Sequence, residues 1–210
     1  MGRMPSVEML LAFAGTSLLI AGVPGPSVAY VVARSAQHGT AAGLFSMMGL
    51  GTGVVVHTGM AAAGVAALIA LVPMGLEIVG WAGAGYLAWL AVHTLRARSA
   101  EQHDDGTIAV PQRGRLFLDG LLVDVLNPKT ALFFIAFLPQ FVRPERGPSA
   151  LQLGVLGLLY MLIAVTCYST YAVLAGRLTV RLRGSASIRN RLAFVTAGIY
   201  LVLAVVVLVV

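Results

Sequence analysis

The sequence is short of charge. Only 10% of its 210 residues are Asp, Glu, Lys or Arg, where a soluble domain carries about 25%, and 59% are hydrophobic. A water-soluble globule and a disordered chain are both excluded on that ground. Cysteine is nearly absent: the single Cys167 excludes a disulfide framework, a cysteine-based zinc site and a CxxC thiol relay. Interior histidines and paired carboxylates are scarce, which argues against metal as ligand or cargo. There is no HExxH and no serine in a glycine-flanked elbow, so the usual marks of an intramembrane enzyme are missing. The net charge of +6 is spread over short loops rather than gathered in a patch. That pattern reads as membrane topology, not as nucleic-acid binding.

What is present is a set of six apolar runs, roughly Val7–Ala33, Ala41–Val72, Leu76–Leu95, Leu116–Val142, Ala150–Ala175 and Leu192–Val210. At about 20 residues per spanning helix, they fill the chain and predict an all-α polytopic membrane protein with six transmembrane helices. The first run is too long for a cleaved signal. Met1-Gly2-Arg3-Met4-Pro5-Ser6 formally fits a myristoylation pattern, from which a chain with several spans gains little. The second run exceeds one bilayer crossing, so tilt or a trailing segment before Pro73 is expected. Arg34, then Arg96, Arg98, Arg113 and Arg115, then Arg177, Arg181, Arg183, Arg189 and Arg191 place ten basic residues on one side. Arg3, Arg143 and Arg146 place three on the other. The positive-inside rule puts the ten in the cytoplasm and both termini outside. The polar stretch 96–115, with Glu101, His103, Asp104 and Asp105, reads as a solvated cytoplasmic linker. It divides a single transmembrane domain, 1–210, into halves of about 1–95 and 116–210.

Three spans per half means that the second half is inserted upside down relative to the first, a recurrent transporter architecture. The prolines agree. The first span of each half carries a break, Gly22-Val23-Pro24-Gly25-Pro26-Ser27 and Asp124-Val125-Leu126-Asn127-Pro128-Lys129, about half the chain apart. Proline has no N–H for the carbonyl four residues back, so Pro128 frees the Asp124 carbonyl, Pro26 that of Gly22 and Pro24 that of Ile20. In hydrocarbon such groups must face protein, water or ligand. A new half-helix starts near Ser27 and another near Lys129, and their N–H groups favour an anion. Carbonyls for an ammonium and N–H groups for a carboxylate together suit a zwitterion. The competing reading is a proline kink that serves packing alone.

Asp124 and Lys129 lie well inside the fourth span, where each costs about 2.5–3.5 kcal/mol at a helix centre on insertion scales. They are about 140° apart round an unbroken helix, so only the break could bring them together, as a structural ion pair or as substrate contacts. The expected substrate site is Pro24, Gly25, Pro26 and Ser27 from the first break with Asn127, Pro128 and Lys129 from the second. Asp124 is the expected proton carrier, and His57 either relays protons or bonds a neighbouring helix. Asp119 reads as an interfacial carboxylate, as does Glu77, and Tyr30, Tyr86 and Trp89 as packing or interface anchors. The run Gly49-Leu50-Gly51-Thr52-Gly53 allows close helix approach within one chain or between copies; a phosphate-loop reading fails because no Lys-Ser/Thr follows.

Three stretches resemble the lysine-exporter (LysE/RhtB) family of amino-acid efflux permeases. They are Pro24-Gly25-Pro26, the run Gly83-Ala84-Gly85-Tyr86-Leu87-Ala88-Trp89-Leu90, and above all GLLVDVLNPKTALFFIAFLPQFV from Gly120 to Val142. Two places depart from the family pattern, Ala91 for a common glycine and Thr40-Ala41 for a common basic residue after Gly39. The resemblance implies a multi-pass exporter of amino acids or close derivatives in the bacterial inner membrane, driven by the proton gradient. The expected partners are a small zwitterionic substrate, protons and the lipid bilayer; no cofactor, metal or nucleic acid is expected, and a homo-oligomer is left open. Efflux of a metal ion or other small toxic solute, and a non-transporting membrane assembly partner, are the alternatives.

Overall fold

A computed structural model of the chain describes residues 6–64, 75–101, 111–179 and 186–209. Pro73, the linker residues His103, Asp104 and Asp105, and Arg181 and Arg183 lie outside the described residues, as do the side chains of Glu77 and Glu101. Among the described residues every regular element is helical.

Helix α1 spans Val7–Gly22, with the Ser6 side chain accepting from the Met9 N–H and Glu8 in its first turn, where a carboxylate suits the helix dipole. It ends because Pro24 cannot donate and because a residue before proline avoids the helical region. Val23 and Gly25, each followed by proline, are both extended. Pro26 then opens α2, Pro26–His38, at the first helical position, where its missing N–H costs nothing. The axis turns by 54° between α1 and α2. Gly39 adopts φ 98°, a left-handed value that suits glycine, and α3 follows at once over Thr40–Ala62. The first loop is therefore a single residue, and Arg34 belongs to α2 rather than to a loop. Arg34 is also buried, whereas Arg96, Arg113, Arg115, Arg177 and Arg191 are exposed near helix ends, so nine basic residues remain on that side of the topology count.

Helix α4 covers Gly75–Glu101 and α5 Arg113–Val125. Asn127 caps the next segment by accepting the Lys129 N–H on its side-chain oxygen. That segment, α6, starts at Pro128 and is α-helical to Leu132. It widens into a π turn over Phe133–Phe137 and tightens into a 3₁₀ turn over Leu138–Phe141. The bend between α5 and α6 is 50°. The turn into α7, Ser149–Thr179, is pinned by the buried Gln152. Its amide accepts from the Arg143 N–H and donates to the carbonyls of Arg143 and Gly147. Helix α8 is Ala186–Val209.

By length and apolarity α3 and α7 can each cross a membrane alone, and each bent pair can do so as one broken span, which gives up to four spans among the described residues. Leu158, Leu162 and Leu174 on α7 and Val202 and Val205 on α8 are all more than half exposed, a surface suited to lipid and not to water.

Helix α3 is the central element, packed on α5 and α7, while α4 packs on α8. A Cβ at Gly49 would strike the Phe117 carbonyl, and one at Gly53 would strike Asp124, so α3 and α5 run in parallel. Gly176 meets Thr40 and Gly157 meets Thr58, so α3 and α7 are antiparallel. The glycine run thus serves close packing inside the chain. Because α3 and α5 are parallel, the chain must run back between them. The 27-residue α4, about 40 Å long at 1.5 Å per residue, is the described segment that can do so.

Candidate functional site

The two breaks meet. Ser27, in the first turn of α2, donates to Asp124 Oδ1 at 3.0 Å, and the Asn127 amide donates to the Ser27 oxygen at 2.9 Å. Thr130 donates to the same Asp124 oxygen at 3.3 Å. Asp124, at the end of α5, is fully buried, and its Oδ2 has no hydrogen-bond partner. A Cβ on Gly53 would come within 2.9 Å of that Oδ2, so the absence of a side chain there gives the carboxylate its room. Two hydroxyl donors converging on Oδ1 are the arrangement a carboxylate selects.

The carbonyls that proline deprives of a helical partner are claimed from other helices. The Gly22 oxygen accepts from the Tyr171 hydroxyl of α7 at 2.8 Å, and the Asp124 oxygen lies 3.2 Å from His57 Nε2 of α3. A carbonyl only accepts, so the His57 Nε2 carries the proton in this contact. His57 addresses the Asp124 peptide, not its carboxylate. Lys129 donates to the Val23 carbonyl at 2.8 Å, tying the second break to the first. Its aliphatic stem lies over Gly25, whose Cβ would come within 3.4 Å of it. Lys129 and Asp124 make no ion pair with each other; the break turns them toward different partners.

A small cavity opens beside this network, with Gly25, Ser27, Asn127, Lys129 and Thr130 on one side and Tyr160 and Tyr168 of α7 on the other. A second lies on the far side of the breaks among Pro26, Asn127 and Pro128 and the α4 residues Gly83, Tyr86 and Leu87. Eight of the nine expected site residues thus lie in the network or line a cavity. Pro24 is exposed and acts by ending α1.

Several polar groups were not legible as site residues. Thr130, Tyr160, Tyr168 and Tyr171 stand in apolar stretches that give no sign of which face turns inward. Asp119 is buried, not interfacial. It pairs with Arg34 at 3.2 Å and accepts from the Tyr86 hydroxyl at 3.0 Å. The signal was there in two charges, each just inside a broken span, but Arg34 fell beyond the expected end of the first run.

The family model of the LysE type translocator matches residues 7–210. Homoserine/homoserine lactone efflux proteins of Salmonella typhimurium and Salmonella typhi are each 34% identical over 178 residues, covering 84% of this chain and 85% of theirs. A membrane protein of Vibrio cholerae is 27% identical over 173 residues, 81% of this chain and 84% of that one. No solved structure matches. With a family match over nearly its whole length and relatives that are efflux proteins, the chain belongs to the LysE-type translocator family and is a membrane transporter rather than an enzyme.

Proposed function

We propose that the chain is a secondary exporter of small amino acids or their close derivatives, the class to which homoserine and its lactone belong. It exchanges them for protons by alternating access, at a site between the two broken spans. The observation that carries this reading is the junction of the breaks. Lys129 has two ammonium N–H groups beyond its bond to Val23 and lines the cavity it shares with Tyr160 and Tyr168, where it meets an oxygen function of the cargo. Asn127 and Ser27 fix the cargo's orientation. Asp124 takes up the proton, and protonation rearranges the two hydroxyls that now point at it. His57 joins the coupling by holding the peptide of Asp124.

The architecture proposed is six spans in two inverted halves, about 1–95 and 116–210, in a bacterial inner membrane with both termini outside and the linker 96–115 cytoplasmic. It is supported by the similar bends of the two first spans, the antiparallel α3–α7 pair, the α4–α8 pair and the return that α4 must make. With the buried Arg34 left out, nine basic residues against three still favour this orientation.

The test is efflux from cells loaded with a panel running from amino acids through lactones to dipeptides, with intact chain and Asn127→Ala at matched expression, with and without a protonophore. Export that needs both Asn127 and the proton gradient is expected for homoserine-sized cargo. Equal efflux of every member in both strains would sink the reading.

A further inference from the structure

One buried charged group plays no part in the site above. Arg34 lies eight residues beyond Pro26 and Asp119 five before Asp124, placing their ion pair about 8–12 Å from the breaks at 1.5 Å per residue. The pair lies toward the face that carries nine basic residues. Both side chains are buried, and the Nη2–Oδ2 distance is 3.2 Å. The other Asp119 oxygen accepts from Tyr86 of α4. The Arg34 guanidinium stands over the Tyr30 ring at 5.2 Å. Tyr30 stacks on Tyr200 of α8, and its hydroxyl donates to the Leu116 carbonyl. One layer therefore ties α2, α4, α5 and α8 together. The same Tyr86 also lines the second cavity, which Asn127 borders, so this layer and the site meet at Tyr86.

We propose that Arg34, Asp119 and Tyr86 form a latch that closes the site toward the cytoplasm, and that cargo reaches Asn127 only when the Arg34–Asp119 pair parts. A buried ion pair is a poor device for stability, since apolar packing of the same volume serves as well or better. It is a good device for a contact that must be broken and remade, because water and cargo can solvate the separated charges. The pair is also incompletely satisfied: Arg34 Nε is buried without a partner. On the opposite side of the breaks the closure is different in kind. There Phe13 of α1 packs on Phe133 and Phe141, with ring centroids 6.0 and 5.1 Å apart, and no charge is involved.

The latch rests on the alternating-access reading, but its test needs no cargo. In the full chain with Cys167→Ser, Leu126→Cys places a thiol on the cavity wall. Its labelling by a membrane-impermeant maleimide is followed in vesicles of both orientations. With the latch intact, labelling from the basic face is slow. Tyr86→Phe, which keeps the ion pair, is expected to raise that rate about fivefold, the equivalent of one hydrogen bond. Asp119→Asn is expected to raise it more than tenfold, and Arg34→Asp with Asp119→Arg to return it toward the starting rate. An unchanged rate from the basic face in Tyr86→Phe and in Asp119→Asn overturns the latch while leaving the exporter reading in place. A chain that exports nothing in the panel yet shows the rate increases keeps the latch and loses that reading.

Discussion

His57 of α3 lies 3.2 Å from the carbonyl oxygen of Asp124, the one acceptor that Pro128 removes from the α5–α6 hydrogen-bond ladder. Tyr171 of α7 holds the corresponding Gly22 carbonyl, freed by Pro26, at 2.8 Å. The two breaks are thus each held by a side chain from a neighbouring helix, α3 for the second and α7 for the first. Neither donor belongs to the broken span itself. Without it, the Gly22 carbonyl has to find a donor in water or cargo, and the Asp124 carbonyl keeps only the Asn127 N–H.

His57→Ala withdraws that donor, although the Asn127 N–H still reaches the Asp124 carbonyl at 3.0 Å. The expected loss is at the lower end of the 1–3 kcal/mol range for an underserved buried acceptor, or about tenfold in efflux rate. His57→Gln, which retains an N–H donor, should recover most of the rate and keep the dependence on external pH. A Gln variant that transports well but has lost its pH dependence would make the imidazole a proton carrier in its own right. Tyr171→Phe is expected to cost a similar amount with pH dependence intact.

Gly53 and Gly59 lie on the same helix and differ in what a methyl group would meet. At Gly53 a Cβ would come within 2.6 Å of the Asp124 Cβ, whereas at Gly59 nothing lies within 4 Å. Gly53→Ala must push α3 from α5 or turn the carboxylate aside, and overpacking of this kind costs about 1–3 kcal/mol. A fall of several degrees in melting temperature in detergent, with loss of efflux, is expected. Gly59→Ala should melt at the same temperature or above, since alanine is the better helix former by about 0.8–1 kcal/mol. Equal melting temperatures for the two variants would mean that α3 and α5 are further apart than described.

The hydroxyls that converge on Asp124 Oδ1 are not equivalent. Ser27 both donates to the carboxylate and accepts from Asn127, while Thr130 makes the one longer bond. Ser27→Ala removes two contacts and leaves Asn127 without its acceptor. It is expected to lower efflux by about a hundredfold, the equivalent of two to three kcal/mol for bonds to a charged group. Thr130→Val, nearly isosteric, should cost about tenfold or less. The reverse order, measured at matched expression, would place the working hydroxyl on α6 rather than α2.

Much of this site was legible because proline and interior charge are both costly in a spanning helix. Pro26 and Pro128 marked the breaks, and Asp124 and Lys129 marked the segment that the breaks expose. Less legible was which residue each would meet. An ideal helix gives the angle between Asp124 and Lys129, but the 50° bend and the cap by Asn127 reset it, and Lys129 goes to Val23. Tyr171 and His57 could not be paired with their carbonyls, because that depends on the packing of α7 and α3 against the breaks, which periodicity in an apolar helix does not record. Arg34 was read as a loop charge because α2 outlasts its apolar run. The run ends at Ala33, but the helix continues to His38, carried by the partner that Arg34 finds in Asp119.

Lys129 gives the sharpest separation of structure from function. Since its ammonium bonds a backbone carbonyl and not Asp124, Lys129→Met leaves no buried carboxylate unpaired. It gives up one bond from Nζ to Val23, while the methionine stem can still cover Gly25. The variant should therefore insert, fold and melt within a few degrees of the parent. On the proposed reading its efflux is expected to fall at least tenfold, because the cavity loses its cation. Lys129→Arg should fail nearly as badly despite keeping the charge, since the longer, rigid guanidinium fork does not fit over Gly25 and onto Val23 as the compact ammonium does. If Lys129→Met exports at the parent rate, the lysine only ties the two breaks together, and cargo recognition falls to Ser27, Asn127 and the half-helix N–H groups alone.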